Sequence, residues 1–516
     1  MSTATDTQSP SDATTQSDAS RRPPGYPFSF RLLHWVLTVS GIVLILTGVS
    51  LHAGARPDWS LLDGKVPGWM WTGRVHYWHA WAALFFTPAV IAACWIYVRR
   101  RVYLRVTHLV LLVGGLLTVI SGFFLANPPA SALVYSASLW VHAIVGLVVF
   151  PIWFLWHVLT GFTRYIRALI PSFDPVSHDR LWPVVAILLV SVITSCLLMN
   201  GWPFAPPWRD LVATPIEGPA ATDLATLPWD EATPLNVQLA NGNGMGTGMD
   251  AGRTPLELRA LHDGNDLFIR AVWADDDEEY NYWPWKKADD GWEYMQTSAK
   301  DECRCYEDKF SMIFPVQQNG DFQRFGCAAS CHVHEEYGWG YKGTSYLIDV
   351  WHWKAARTGT VGQVDDKYWS VADFDNKDIG RHGDPKDGGG YTKNRSEDKD
   401  HPLYLPKSPD AEFSGSILKG EEVEYTEELA KEFKTGQKVA GVVSDAFLGD
   451  RGDVNCASEW KHGYWTLYIR RPLDTGSQYD AQFAPGGRYA FGCAAFDHSG
   501  KRHAYALPTF HLVIAE

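Results

Sequence analysis

The N-terminal part of this 516-residue chain takes its fold from one apolar stretch, Leu139-Trp-Val-His-Ala-Ile-Val-Gly-Leu-Val-Val-Phe-Pro-Ile-Trp-Phe-Leu-Trp-His-Val-Leu-Thr160. The stretch contains no Asp, Glu, Lys or Arg, and about 20 apolar residues suffice for a helix to cross the hydrocarbon core of a membrane. It nevertheless contains His142 and His157. Ionisable side chains inside a membrane are costly and mark functional sites, so the sequence predicts a transmembrane helix that carries two functional histidines.

The spacing of these two histidines indicates what they bind. Fifteen residues of helix separate them by roughly 22 Å along the axis and by about 60° around it. One histidine then lies near each membrane surface, which suits two haem groups stacked across the bilayer. Each haem iron needs a second axial ligand at the same depth. His34 begins the first apolar run level with His157, and His76 and His79 begin the second run level with His142.

Two further histidines need to be considered as possible haem ligands. His52 is an alternative partner for His142, because 18 residues put it on the same helix face as His34. His108 stands alone at the cytoplasmic end of the third run. We expect His108 to be interfacial or near a quinone rather than an iron ligand.

The distribution of arginine predicts the topology. Arginines concentrate before the first run, between the second and third, and between the fourth and fifth, and loops rich in Lys and Arg stay in the cytoplasm. The N-terminus is therefore predicted to be cytoplasmic, and residues 200–516 to lie across a bacterial inner membrane, in the periplasm. The five predicted spans are about Leu32–Ala53, Val75–Val98, Val106–Ala126, Leu139–Thr160 and Leu181–Met199.

Composition divides the rest of the chain. Residues 1–200 carry a net charge of +6 (13 Lys/Arg, 7 Asp/Glu) and residues 201–516 a net charge of −19 (32 Lys/Arg, 51 Asp/Glu). The acidic half excludes a nucleic-acid partner, whose phosphates need a basic surface. We predict a disordered tail over 1–27, a membrane domain over 28–200, a Pro-rich linker over 201–229 and an exported domain over 230–516. Short alternating strands make that last domain an all-β sandwich, with a polar insertion at 355–436.

One motif in the exported half combines two thiols with an adjacent histidine, Gly326-Cys327-Ala-Ala-Ser-Cys331-His332. A c-type haem is usually attached at Cys-x-x-Cys-His, and here the spacing is longer by one residue. Covalent haem c, non-covalent haem b and a local disulfide remain open. Pairing Cys303 and Cys305 with Cys456 and Cys493 would supply two disulfides.

The membrane motifs resemble a known family. Arg31-Leu-Leu-His34-Trp35, Gly73-Arg74-Val75-His76-Tyr-Trp-His79 and the two histidines of the fourth run are similar to the bacterial di-haem cytochrome b family. That family supplies membrane subunits of formate dehydrogenases, nickel-iron hydrogenases and thiosulfate reductases. The resemblance implies a four-helix core with the haem-ligand pairs His34–His157 and His76–His142. Two spacings depart from the family pattern: the one before His76, which keeps His79 as an alternative, and the His142–His157 interval, which is one residue longer.

The exported half resembles a second family. Asp308-Lys-Phe-Ser-Met-Ile-Phe-Pro315, Asp349-Val-Trp-His-Trp-Lys354 and Tyr489-Ala-Phe-Gly-Cys-Ala-Ala-Phe-Asp497 are similar to the haem-binding subunit of ethylbenzene dehydrogenase and its relatives. The resemblance implies a β-sandwich with one haem. His332 takes the place of an axial methionine, and the second ligand comes from His503, with Lys501 and His498 as alternatives.

These expectations combine into an electron-transfer function. Two membrane b haems and one exported haem c or b would link the quinone/quinol pool to a periplasmic c-type cytochrome or oxidoreductase subunit, in a homo-oligomer or a larger complex. The sequence predicts no catalytic residue, so we expect an electron-transfer subunit or a quinol:cytochrome oxidoreductase rather than a stand-alone enzyme. The alternatives are a membrane-anchored haem sensor and an exported haem that reduces a small molecule.

Overall fold

The structure is a computed structural model, and it describes residues 28–55, 72–100, 106–126, 132–162, 189, 209–217, 222–239, 253–296, 305–317, 322–323, 326, 346–370, 381–500, 503–506 and 509–516. Several predicted features lie outside these residues. They are the tail 1–27, the fifth span apart from Leu189, the residues Cys327, Cys331 and His332, and Lys501.

The N-terminal part is helical. Its helices are α1 (Phe28–Ala55), α2 (Thr72–Arg100), α3 (Val106–Ala126) and α4 (Ala132–Ile144), and α4 continues through a π-helical turn (Val145–Val149) into α5 (Phe150–Thr160). Four segments are long and apolar enough to cross a membrane: Phe30–Val49, Trp78–Ile96, His108–Leu125 and Ala137–Thr160. Many large apolar side chains on them are exposed, as lipid contact requires. The prediction of a helical membrane part is confirmed.

Small residues let these helices approach one another. An added Cβ on Gly41 of α1 would lie 3.6 Å from the rings of Phe86 and Phe150, and one on Gly115 of α3 would lie 3.2 Å from Val90. Small residues at helix contacts are the usual means of close packing in membranes, where dispersion rather than water exclusion drives association. The close packing fixes the rotation of each helix and therefore where its histidines point.

The C-terminal part is a β domain. Thirteen strands form one sheet in the order β10-β9-β8-β7-β19-β21-β1-β3-β4-β18-β17, with β2 paired to β3 and β20 to β19. Smaller sheets join β11-β16-β13, β12-β14 and β15-β5-β6, and a short helix α6 spans Glu427–Ala430. The strands are β1 (Asp210–Pro215), β2 (Leu235–Leu239), β3 (Thr254–His262), β4 (Asp266–Ala274), β5 (Trp285–Ala288), β6 (Gly291–Tyr294), β7 (Lys309–Pro315), β8 (Ile348–Lys354), β9 (Asp365–Trp369), β10 (Arg381–Gly383), β11 (Gly388–Lys393), β12 (Tyr404–Leu405), β13 (Ile417–Leu418), β14 (Val423–Glu424), β15 (Lys438–Val439), β16 (Val442–Leu448), β17 (Asn455–Lys461), β18 (Tyr464–Pro472), β19 (Arg488–Phe496), β20 (Ala504–Tyr505) and β21 (Phe510–Ile514).

Strand β19 divides the large sheet into two halves. Its first part, Arg488–Phe491, pairs with β21, and its second part, Gly492–Phe496, pairs with β7. The halves pack face to face through Trp273 of β4, Trp353 of β8 and Trp465 of β18, whose ring centroids lie 5.0–6.3 Å apart. The domain is therefore a sandwich with an aromatic core.

Two segments differ from their expected boundaries. Strand β1 lies inside residues 201–229, which the sequence assigns to a linker, and it pairs with β3 and β21 in the large sheet. Its run Asp210-Leu-Val-Ala-Thr-Pro215 is short and ends in a proline. The alternation of buried and exposed side chains along it is therefore hard to recognise in the sequence. The expected insertion 355–436 contains β9 to β14, of which β9 and β10 extend the large sheet beside β8.

The expected disulfides with Cys456 and Cys493 do not form. Both residues are buried free thiols, because they lie on β17 and β19 with their side chains in the sandwich core. Cys305 is disulfide-bonded, to a cysteine outside the described residues. Cys94 is a free thiol in α2, as expected for a packing residue.

Candidate functional site

Two histidines from different helices face each other near one end of the helical part. The ring centroids of His79 on α2 and His142 on α4 lie 6.1 Å apart, with the ring planes at 68°. An imidazole nitrogen lies about 2.0–2.1 Å from a bound first-row metal ion, so two rings on opposite sides of one ion have centroids about 6 Å apart. The separation of these two rings fits a shared metal ion. His76 lies three residues earlier on α2, and its side chain is outside the described part.

Hydrogen bonds orient both rings. The Nδ1 atom of His142 lies 3.1 Å from the Thr118 carbonyl oxygen and 3.1 Å from Ser121 Oγ on α3. The Nδ1 atom of His79 lies 2.8 Å from Thr47 Oγ1 on α1. A proton on Nδ1 satisfies both arrangements and leaves Nε2 with the lone pair. Metal-ligating histidines usually hold their second ring nitrogen in this way.

Glycines leave room beside the same two rings. An added Cβ on Gly122 of α3 would lie 3.1 Å from His142 Cε1, and one on Gly48 of α1 would lie 3.8 Å from His79 Cε1. Gly48 directly follows Thr47, which bonds to His79. Residues of α1 and α3 thus shape the surroundings of this histidine pair.

A second group of histidines lies toward the other end of α5. The rings of His157 on α5 and His108 on α3 have centroids 5.1 Å apart at 68°, and His34 on α1 is close enough to interact electrostatically with both. The Nδ1 atom of His34 lies 3.2 Å from the Phe30 carbonyl oxygen, so its Nε2 carries the lone pair. The sequence suggested that His108 stands alone at its helix end. In the structure, its ring contacts that of His157.

The π-helical turn Val145–Val149 lies between His142 and His157. A π turn takes in one residue more than an α turn, and such turns are frequent at functional sites. With one residue absorbed, the interval of fifteen residues turns like fourteen, and the two histidines lie about 40° apart around the axis instead of about 60°.

The β domain offers a second candidate site on the outer face, which we define as the face of β7, β8, β9 and β19 turned away from the sandwich core. Side chains alternate along a strand, and Phe491, Cys493 and Ala495 point into the core. The residues between them, Ala490, Gly492 and Ala494, therefore lie on the outer face. Their small side chains form a flat floor beside the apolar side chains of Ile313, Ile348, Val350, Trp369 and Phe322.

The predicted ligand His503 lies at the edge of this floor. Its ring centroid is 4.6 Å from that of Phe496 and 5.8 Å from that of Tyr505. His352 also contacts Phe496, at 5.5 Å. Arg381 donates to His352 Nδ1 at 3.5 Å, so the proton of His352 lies on Nε2. A protonated Nε2 has no lone pair with which to bind iron. His503 is the better placed of the two.

The alternative His498 is held elsewhere. Its Nε2 lies 2.8 Å from Asp277 Oδ1, and its backbone amide donates to Asp308 at 3.3 Å. Asp308, Asp275 and Asp497 bring buried carboxylates together beside it. Burial and then Asp497 raise the pKa of Asp275 to about 8. His498 thus belongs to an acidic cluster rather than to the outer face.

The described residues on both sides of the Cys327–His332 motif pack on the outer face. Phe322 is fully buried there, and Thr509 Oγ1 donates to its carbonyl oxygen at 3.1 Å. Tyr346, which precedes β8, packs against the same apolar cluster. The described residues that flank the motif therefore contact the face where His503 lies.

The sequence profile of the ethylbenzene dehydrogenase family matches residues 227–506, more than half of the 516 residues. The chain belongs to the ethylbenzene dehydrogenase family. The match covers most of the β domain, including the Cys327–His332 motif, and leaves out β1 and β21. The helical part lies outside it. The chain has no match among curated proteins.

Similarity to solved structures is weak for this member of the ethylbenzene dehydrogenase family. A family 9 carbohydrate-binding module from Caldicellulosiruptor kristjanssonii in complex with glucose shares 8% identity over 59% of this chain and 85% of that chain, with a TM-score of 0.22. The same kind of module in complex with cellotriose shares 9% identity over 60% and 95%, with a TM-score of 0.23. Scores this low carry no argument about fold or ligand.

Sequence reasoning missed one charged network of the ethylbenzene dehydrogenase domain. Asp365 is fully buried on β9 and forms ion pairs with Lys354, with Lys367 at 3.0 Å and with Arg451 at 2.7 Å. Tyr391 also donates to it, at 3.1 Å. Burial raises the pKa of Asp365, but Lys354 and then Lys367 lower it further, and the net pKa lies below its usual range. Lys354 therefore has a structural partner.

We predict that Asp365→Ala lowers the free energy of unfolding of the ethylbenzene dehydrogenase domain by about 3–5 kcal/mol, because it leaves three cations close together in a buried place. A depressed folded-state pKa gives stability that is present above the unfolded pKa of about 3.9 and is lost as pH falls. The difference between wild type and variant should therefore shrink in acid. Denaturant unfolding at neutral and acidic pH checks both statements; equal stability of the two proteins at neutral pH would contradict them.

Proposed function

We propose that this protein transfers electrons between the quinone/quinol pool and a periplasmic redox partner, through two b haems in the helical part and one haem in the β domain. Haem iron supplies one-electron redox chemistry, while the protein supplies ligands, position and surroundings. The observation that carries the proposal is the arrangement of the histidines. Rings from different helices meet at two levels of the same bundle, with Nδ1 of His34, His79 and His142 anchored by oxygen atoms.

His142 and His79 are the proposed ligands of one b haem. Their centroid separation of 6.1 Å and their anchored Nδ1 atoms support this pair. The family resemblance favoured His76 in the place of His79, and the ring contact favours His79 because it identifies the α2 histidine that faces His142. Thr47 and Gly48 then position the second ligand and leave space beside it.

His157 and His34 are the proposed ligands of the other b haem. The contact of 5.1 Å between His157 and His108 is shorter than the separation of about 6 Å that a shared metal ion requires. His108 is therefore assigned a place beside the haem rather than on the iron. A histidine ring N–H at this position suits a hydrogen bond to a bound quinone.

The third haem is assigned to the outer face of the β domain, with His332 and His503 as axial ligands. The flat floor of small residues, the apolar cluster around it and the anchoring of Phe322 and Tyr346 on the same face support this assignment. Cys327 and Cys331 would attach this haem covalently. The acidic exported half suits a basic c-type cytochrome as partner, because opposite charges steer encounter.

Topology is testable on its own. We expect a protease added to intact spheroplasts to cut the chain within residues 230–516 and to leave residues 99–105 intact, because arginine-rich loops stay in the cytoplasm. Immunoblotting with tags at both termini checks the fragment pattern. Full protection of the β domain in spheroplasts, with cleavage after lysis, would reverse the orientation.

A redox titration with haem quantification separates this function from the two alternatives. The proposed electron path needs three reducible haems, whereas a membrane-anchored haem sensor needs only one. A haem site that reduces a small molecule would show an open sixth position on the exported haem. The direction of electron flow would follow from which partner, quinol or reduced cytochrome, reduces all three haems.

A further inference from the structure

Six aspartates surround one buried arginine at one end of the sandwich core, and we call them the six-aspartate cluster. Oxygen atoms of Asp349, Asp366 and Asp480 all lie within 4.8 Å of one another, and those of Asp450, Asp453 and Asp480 do the same. Asp384 completes the cluster and interacts with Asp349 and Asp480. Arg471 Nη2 lies 2.9 Å from Asp480 Oδ2 and 3.5 Å from Asp349 Oδ2.

The charge of the cluster is far from balanced. Asp349, Asp366, Asp384 and Asp480 are at most 3% exposed, and Arg471 is fully buried. The nearest other cations, Lys367 and Arg451, pair with Asp365. Six carboxylates thus share one guanidinium, although buried charges normally require paired partners or a metal ion.

The hydrogen bonds of the cluster leave one set of oxygens unused. Oδ2 of Asp349 accepts from the Ala481 amide at 3.0 Å, Oδ1 of Asp366 accepts from the Lys367 amide at 2.9 Å, and Oδ2 of Asp480 accepts from Thr475 Oγ1 at 2.6 Å. The second oxygen of each accepts no hydrogen bond from the described residues. Both oxygens of Asp384 and Oδ1 of Asp453 likewise accept no hydrogen bond from outside the cluster, and within it Asp384 lies within hydrogen-bonding distance of Asp480 and Asp453 of Asp366.

These six oxygens, which come from five of the aspartates, suit calcium in number and in chemical kind. Ca²⁺ takes 6–8 oxygen ligands, mostly carboxylates, in flexible geometry, whereas Mg²⁺ prefers one or two carboxylates and keeps several waters. Carboxylates without nitrogen or sulfur donors disfavour zinc. We propose that the six-aspartate cluster is a calcium site built into the β domain.

Such an ion would tie together segments that are distant in sequence. Asp349 and Asp366 lie on β8 and β9 in one half of the sandwich, whereas Arg471 lies on β18 in the other. Asp450 and Asp453 come from the turn after β16, and Asp480 from the loop between β18 and β19. The ion would therefore stabilise the closed sandwich and, through β8, the outer face on which His352 lies.

The test uses the full-length protein in detergent, stripped with a chelator and dialysed, and then titrated calorimetrically with Ca²⁺ and separately with Mg²⁺. The test variant is Asp366→Asn with Asp384→Asn. The matched control is Asp398→Asn with Asp400→Asn, because these two aspartates form an exposed acidic group beside His401. The asparagine substitutions remove buried like charges, so the test variant should remain folded in chelator.

Wild type and control should bind calcium, with a rise of about 5 °C or more in the melting temperature of the β domain at saturation. The test variant should bind one calcium ion fewer per chain than the control, and its melting temperature should rise less. Mg²⁺ should bind at least about tenfold more weakly. The proposal is overturned if wild type binds no calcium, or if the test variant and the control bind the same number of ions. Counting ions separates this site from the carboxylate group around Asp275 and Asp308, which both variants keep.

Discussion

Replacing His142 by Ala should remove one of the two membrane haems and leave the other haems in place. Alanine cannot bind iron, and the ring of His142 faces His79 across 6.1 Å. His157 lies about 22 Å away along the same helix, so its haem should keep both ligands. Pyridine haemochrome spectra and protein quantification of the purified variant give the haem content. We expect the loss of one b haem per chain relative to wild type.

The controls for this prediction lie on α2. His79→Ala should lose the same haem as His142→Ala, and the double variant should lose no more than either single variant. His76→Ala should keep it, because the ring that contacts His142 is that of His79. The opposite result, loss with His76→Ala and retention with His79→Ala, would show that the ring contact does not mark the iron ligands. His157→Ala should remove the other b haem.

The second large effect concerns the haem that we propose for the β domain. The wild-type band should stain for haem on a denaturing gel, and Cys327→Ser with Cys331→Ser should abolish the stain. Covalent attachment requires thiols adjacent to the iron ligand, and His332 directly follows Cys331. His332→Ala should change the absorption spectrum and keep some stain, since the thioether bonds do not depend on the iron ligand.

The disulfide of Cys305 provides a second test of covalent haem attachment. Peptide mapping under non-reducing conditions identifies its partner. A bond from Cys305 to Cys327 or Cys331 would leave a single thiol at the motif and exclude attachment through two thioethers. A wild-type band that does not stain, from a protein that carries haem in its β domain, would likewise contradict covalent attachment and make the exported haem b-type.

Hydropathy and alternation made much of the fold predictable. The four described spans coincide with apolar runs that are visible in the sequence, because a helix in lipid must be apolar over its length. Strand β19 spans Arg488–Phe496, in the half for which the sequence predicts short alternating strands. Its alternation is unambiguous because one face enters the core and the other carries the small residues Ala490, Gly492 and Ala494.

Other features depend on tertiary structure and could not be read from the chain. Whether His76 or His79 faces His142 depends on the rotation of α2, which the packing of α2 against α1 fixes. The π turn at Val145–Val149 leaves no signal in the sequence other than the fifteen-residue spacing of His142 and His157. The predicted disulfides of Cys456 and Cys493 are wrong because the sheet places both side chains in the core, where they are free thiols. The six-aspartate cluster joins residues more than 100 positions apart in the sequence, so no local motif predicts it.

The most direct test of the central claim is a potentiometric titration of the purified full-length protein, combined with haem quantification. The account predicts three reducible haems per chain, two of them b-type and extractable, with the third in the β domain, and reduction of the b haems by a quinol. A protein that contains only one haem, or whose helical part binds none, would contradict the proposed electron path across the membrane.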